Sequence, residues 1–158
     1  MSVIIRKMRA QDYKDAMSIL EKWNMAPRAP SEALQEPERS GLDVERSFVA
    51  ENDGRIVGVC SYIVHNPELA ETASMAVDPS CQGMGLGYQL QYARLKEMKA
   101  QGIRKVHTET DRPDTINWYI RKFGYVRVGS NPKKHDFSLP DVDEWTVLQL
   151  DLDNYDCG

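Results

Sequence analysis

The hydrophobic pattern opens with the apolar run Val3-Ile4-Ile5, then Arg6-Lys7 and Met8, which is read as an alternating strand from Val3 to Met8. The period then lengthens. Tyr13, Ala16, Met17, Leu20 and Trp23 recur at helical spacing and predict a helix from Ala10 to Trp23 with that stripe in the core. From Asn24 to Asp43 the pattern breaks, and Pro27, Pro30 and Pro37 limit any helix there to a short piece. Two apolar runs, Ser47 to Glu51 and Arg55 to Val64, flank Asn52-Asp53-Gly54 and predict a hairpin. A strand from Glu71 to Val77 leads through a glycine-rich turn into a helix that reaches Ala100 and closes at Gly102. Strands at Lys105 to Glu109, Tyr125 to Ser130 and Trp145 to Leu152 complete a mixed α/β chain. No internal repeat or low-complexity block interrupts it, so residues 1–158 are expected to form one domain.

Composition narrows the class. A chain of 158 residues can bury a core covering roughly two thirds of its unfolded surface. Its net charge of −4 gives no overall basic footprint for nucleic acid. The short run Lys133-Lys134-His135 is bracketed by Asp136 and Asp141 and reads as a solvated loop. Cys60, Cys81 and Cys157 are odd in number and irregularly spaced, which speaks against a disulfide framework and for a reducing, cytoplasmic setting. No CxxC pattern occurs and His65, His107 and His135 lie far apart in sequence, so no metal is expected. The run Val3-Ile4-Ile5 before Arg6 and Lys7 reads as a strand, with neither a signal peptide nor a transmembrane helix expected and hence no membrane partner.

The chemistry concentrates at Val77-Asp78-Pro79-Ser80-Cys81-Gln82-Gly83-Met84-Gly85-Leu86-Gly87-Tyr88. Glycines here let the backbone turn and approach a ligand, and the N–H groups of the following helix favour an anion. Each helix-end interaction is worth only roughly 0.3–1 kcal/mol, so several donors must converge. A Walker loop would need Lys-Ser/Thr after its last glycine, where this chain has Tyr88-Gln89. A dinucleotide fingerprint would need a small residue at 88 or 90, occupied by Tyr88 and Leu90. What fits is Gln-x-x-Gly-x-Gly, made of Gln82, Gly85 and Gly87 directly after a strand. That pattern resembles the pyrophosphate loop of the GNAT superfamily of acyl-CoA-dependent N-acyltransferases. A second segment, Asn117-Trp118-Tyr119-Ile120-Arg121-Lys122-Phe123-Gly124-Tyr125, resembles the family's tyrosine-bearing helix and the turn that ends it.

The resemblance implies a GNAT-like α+β fold, a central mixed and mostly antiparallel sheet flanked by helices and splayed between the strands at 71–77 and 105–109. It implies acetyl-CoA as acyl donor, held by the backbone of Met75, Ala76 and Val77 and by Gln82, Gly83, Met84, Gly85, Leu86, Gly87 and Tyr88. Tyr119 matches the tyrosine that protonates the departing thiolate. An alkylammonium acceptor with a pKa near 10.4 is only about one part in a thousand free amine at neutral pH, which adds roughly 4 kcal/mol to the barrier unless a base removes its proton. Glu71 stands where several family members carry a catalytic glutamate, and Glu109 is the alternative. Direct attack of the amine on the thioester needs no protein nucleophile, so Cys81 is not required.

Two departures qualify the match. Arg112 and Thr115 stand where many members have an asparagine and an alanine before the tyrosine. The acceptor is less legible. The segments Asn24 to Asp43 and Asn131 to Glu144 are expected to frame its pocket; Glu32, Glu36 and Glu38 read first as surface and Trp118, Phe137 and Trp145 as core, with attraction of a cationic amine and an apolar wall as the alternative. The expected function is acetylation of a primary amine on a small molecule. Protein or peptide acetylation, a catalytically silent acyl-CoA-binding regulatory module, and a homodimeric assembly stay open at this point.

Overall fold

The computed structural model describes residues 3–23, 42–132 and 143–155. In chain order its elements are β1 (Val3–Lys7), α1 (Tyr13–Glu21), β2 (Ser47–Asn52), β3 (Arg55–Asn66), β4 (Leu69–Val77), α2 (Leu86–Ala100), β5 (Lys105–Thr110), α3 (Pro113–Phe123), β6 (Val126–Pro132) and β7 (Glu144–Asp151). The strands form a seven-stranded sheet in the order β1-β2-β3-β4-β5-β7-β6. The β4–β5 pair is parallel, while β1–β2, β2–β3, β5–β7 and β6–β7 are antiparallel, so the sheet is mixed as expected. Most of the Asn24–Asp43 segment, residues 133–142 with Lys133, His135, Phe137 and Pro140, and Cys157 lie outside the described residues.

The chain divides into two compact units. The first comprises Met1–Ser61 and Ser74–Arg94. Its β2–β3 hairpin turns through Asp53 (φ 51°) and Gly54 (φ 84°), two successive left-handed residues that match the strand twist, as the sequence Asn-Asp-Gly predicts. The expected helix from Ala10 begins as a short 3-10 turn, Ala10–Asp12, and becomes α-helical only at Tyr13. Asp12 sets that boundary. Its carboxylate accepts from the Arg9 backbone N–H at 2.8 Å and from both terminal nitrogens of Arg6, at 2.8 and 3.1 Å. The core of α1, Ala16, Ile19 and Leu20, packs with Met8, Val49, Val59 and Ala76. A second cluster gathers Ala50, Val57, Cys60, Val77 and Cys81 with Leu86 and Leu90 at the start of α2. A Cβ on Gly58 would come within 3.1 Å of Leu90 Cδ1 and 3.3 Å of Ala50 Cβ, so a larger residue there would force these side chains to give by a few tenths of an ångström. Arg94, fully buried, is held by Gln91 Oε1 at 2.6 Å and donates to the carbonyls of Ser61 at 2.9 Å and Ser74 at 3.3 Å.

The second unit comprises Tyr62–Ala73 and Leu95–Gly158. Its β4–β5 ladder pairs Leu69–Thr72 with Lys105–Thr108, and β4 continues beyond it to Val77. β5 and β7 pair along their length, from Lys105↔Asp151 to Thr110↔Thr146. Strand alternation turns Val106 and Thr108 of β5, with Leu148 and Leu150 of β7, into the core. It turns Lys105, His107 and Glu109 to the opposite face. Helix α3 buries Ile116, Tyr119 and Phe123 and ends at Gly124, whose φ of 80° supplies the left-handed cap anticipated for that residue.

Candidate active site

In the first unit, β4 ends at Val77 and the chain turns through the 3-10 segment Pro79–Cys81 into the glycine loop. Asp78 builds this turn. Its Oδ1 accepts from the Ser80 backbone N–H at 3.0 Å and from Ser80 Oγ at 2.8 Å, and its Oδ2 accepts from Lys22 Nζ at 3.0 Å. The two Ser80 donors and the Lys22 ammonium hold this buried carboxyl down to a pKa of about 2. Gly83 (φ 84°) and Gly85 (φ 76°) both adopt left-handed backbone, and a Cβ on either would meet nothing within 4 Å. The loop is therefore glycine because of its backbone path and faces open space. Gly85 O accepts from Gln89 N at 3.2 Å, the first turn of α2, so the early N–H groups of that 15-residue helix face outward at the loop. Gly87 lies inside the first turn of α2 rather than in the loop. Tyr88 is exposed.

The Val77 carbonyl, expected to be open to a ligand amide, receives two side-chain donors, Trp23 Nε1 at 2.9 Å and Gln82 Nε2 at 3.1 Å. Gln82 thus braces the loop from within. Trp23, read in sequence as core, and Lys22 and Asp78, which no motif marks, tie the end of α1 to the end of β4. Met75 is half-buried and Ala76 buried. Cys81 is a buried free thiol.

In the second unit, Glu71 on β4 lies opposite His107 in the parallel ladder, and its Oε1 is 2.9 Å from His65 Nε2. His107 Nε2 in turn meets Gln149 Oε1 on β7 at 2.8 Å. Glu109, two residues along β5 and so on the same face, accepts from Asn131 Nδ2 at 2.8 Å. A groove of about 570 Å³ opens on this face beside His107 and Gln149, lined also by Lys105, Arg104, Asp151 and Asp153. Tyr119 is buried between Trp118 and Tyr125, with ring centroids 5.1 and 4.9 Å away. Trp118 is half-buried against Phe123, so it belongs to the packing of α3. Among the described residues no group of three or more His, Cys, Asp or Glu could hold a metal ion, and no helix is long and apolar enough to cross a membrane.

The fold is shared with solved acetyltransferases. Ard1 from Thermoplasma volcanium superposes with a TM-score of 0.77 at 20% identity, over 96% of this chain and 98% of that one. N-acetylglutamate synthase from Neisseria gonorrhoeae, complexed with coenzyme A and N-acetyl-glutamate, superposes with a TM-score of 0.68 at 17% identity, over 96% of this chain and 35% of that one. In sequence the chain is 37% identical over 108 residues to the mycothiol acetyltransferase of Saccharomonospora viridis, a match covering 61% of this chain and 35% of that relative. The chain thus spans about a third of the length of that curated relative. The Acetyltransferase (GNAT) family model matches residues 10–125, from the 3-10 turn before α1 to the end of the α3 cap, and the chain belongs to that family.

Proposed function

We propose that this chain is a cytoplasmic N-acetyltransferase that moves the acetyl group of acetyl-CoA directly onto the primary amine of a small molecule, acting as one GNAT domain. The observation that carries the reading is the 83–87 backbone, two left-handed glycines with open space around them at the start of a 15-residue helix. Such a loop presents converging N–H groups to a diphosphate. In the proposed scheme the N–H groups of residues 83–88 hold the pyrophosphate, with Gln82 and Trp23 fixing the loop's approach through Val77. The backbone of Met75 and Ala76 and the N–H of Val77 pair with the pantetheine arm, and an N–H there polarises the thioester carbonyl.

Glu71 or Glu109 takes the proton of the acceptor ammonium. The free amine attacks the thioester carbon, the tetrahedral intermediate expels the thiolate, and the Tyr119 hydroxyl protonates it. The acceptor's body lies in the polar groove beside His107 and Gln149, whose cationic and anionic walls suit a polar metabolite. The relative's name, mycothiol acetyltransferase, supports a small-molecule acceptor.

Calorimetry with acetyl-CoA on wild type and Gly85→Glu tests the reading, together with thiol release across a panel of primary amines, amino acids and peptides. A carboxylate at 85 opposes the diphosphate and is strained at φ 76°, so binding is expected to vanish. Equal affinity in both proteins refutes the loop assignment, and tight binding without release from any acceptor refutes the enzyme.

A further inference from the structure

His65 and Glu71 meet across the two-residue turn that joins β3 to β4, with Nε2 and Oε1 2.9 Å apart. The turn itself is pinned, since Asn66 Oδ1 accepts from the backbone N–H groups of Glu68 and Leu69 at 2.9 and 3.0 Å. An ionised carboxylate can only accept, so in the pair Nε2 is the donor. That contact holds Oε1 of Glu71. The side chains are part exposed, 44% for His65 and 31% for Glu71, so the proton that Glu71 takes can leave to water.

We propose that His65 is a positioning residue for Glu71, its Nε2–H fixing Oε1 so that Oε2 is the atom that receives the acceptor's proton. This rests on the reading of Glu71 as the base. In the step, the N–H bond of the ammonium breaks, an O–H bond forms on Oε2, and the freed nitrogen pair attacks the thioester. Oε2 then returns its proton to solvent. The other charged or titratable groups around the pair are His107, opposite Glu71 on β5 and held by Gln149; Glu109 and Lys105 on the same face of β5; and Glu68 in the turn. Among the described residues, the side chain that meets the Glu71 carboxylate is His65.

The test combines kinetics of His65→Ala and His65→Gln with NMR of the His65 ring nitrogens in wild type and Glu71→Gln. Loss of the positioning bond in His65→Ala is expected to lower kcat on the order of 10- to 100-fold with acetyl-CoA affinity unchanged. His65→Gln, whose amide can donate to Oε1, should recover most of that rate. Removing the anionic acceptor in Glu71→Gln should move the His65 Nε2 resonance, because its N–H loses a carboxylate partner. An unchanged kcat in His65→Ala overturns the proposal while leaving the acetyltransferase standing. Equal loss in both His65 variants overturns it by making the imidazole itself the proton carrier. A His65 Nε2 resonance indifferent to Glu71→Gln overturns it by showing that the pair does not form in solution. If Glu109→Gln abolishes the rate and Glu71→Gln does not, the base is Glu109 and the proposal falls. A wild type inert on every amine refutes the enzyme reading, and the proposal with it, even where the His65 resonance responds to Glu71→Gln.

Discussion

Acid should weaken this fold through one identifiable carboxyl, Asp78. It is buried, and its pKa falls from the ordinary 3.8 to about 2 because the Ser80 backbone N–H, the Ser80 hydroxyl and the Lys22 ammonium all favour the charged form. A shift of that size corresponds to about 2 kcal/mol of folding stability at neutral pH. The lower pKa belongs to the folded state, so below about pH 4 the unfolded chain takes up a proton that the native state still refuses. The contribution is thus complete above pH 4, falls to about half by pH 3 and disappears as pH passes below 2. Asp78→Asn keeps an oxygen for the Ser80 donors and removes only the charge. It is expected to cost about 1–2 kcal/mol at pH 7, the lower figure allowing for solvent screening of the half-exposed Lys22. For a chain of this size that lowers Tm by roughly 3–8 °C. Urea unfolding of both proteins at pH 7, 5, 4 and 3 measures the difference directly. Asp12, also depressed by its Arg6 partner, titrates in both proteins and cancels. A wild-type advantage that stays constant from pH 7 to pH 3 refutes the reasoning, as does an Asn variant equal to wild type at pH 7.

Three further outcomes follow from the site and its supports. Tyr119→Phe should lower kcat on the order of 100-fold while leaving acetyl-CoA affinity nearly unchanged in calorimetry, because the ring packing against Trp118 and Tyr125 survives. Glu71→Gln should depress kcat/KM most at neutral pH and recover as pH approaches the acceptor's own pKa, whereas Glu109→Gln should retain the wild-type pH profile; the reverse result in steady-state kinetics moves the base to Glu109. Arg94→Met should destabilise the protein by about 3 kcal/mol in urea titrations, since it leaves the buried carbonyls of Ser61 and Ser74 without this charged donor.

Local signals carried most of what was legible in the sequence. Asn52-Asp53-Gly54 could only be a hairpin turn, and Gly124 could only end a helix, because each demands a backbone conformation that other residues resist. The glycine loop and the following helix were legible for the same reason, down to Ala100 at the helix end. The misreadings arise where a side chain acts at long range. Asp12 has helical spacing around it, yet its bonds to Arg6 and to the Arg9 N–H make it the boundary of a tighter turn. Trp23 sits on the apolar stripe, and nothing in that period says that its indole N–H reaches a carbonyl fifty-four residues on. The His65–Glu71 contact was equally hidden, because it depends on the register of the β3–β4 turn and on two residues six apart that no motif links.

The Val77 carbonyl brings these strands of reasoning together. A carbonyl in the middle of a sheet takes its donor from a neighbouring strand, but beyond Thr72 the β4–β5 ladder has ended and a buried acceptor at Val77 must find another. Trp23 and Gln82 both supply one. An arginine or glutamine at the head of a glycine loop can therefore serve the loop by satisfying the strand behind it, with no contact to the bound anion. On the proposed reading of the loop, the anion is left to backbone N–H groups, whose direction is set by φ at Gly83 and Gly85. Substitutions that alter those dihedrals are thus expected to harm acetyl-CoA binding more than substitutions of any single side chain around the loop. The chemistry of the loop is written in its backbone, and the side chains nearby hold that backbone in place.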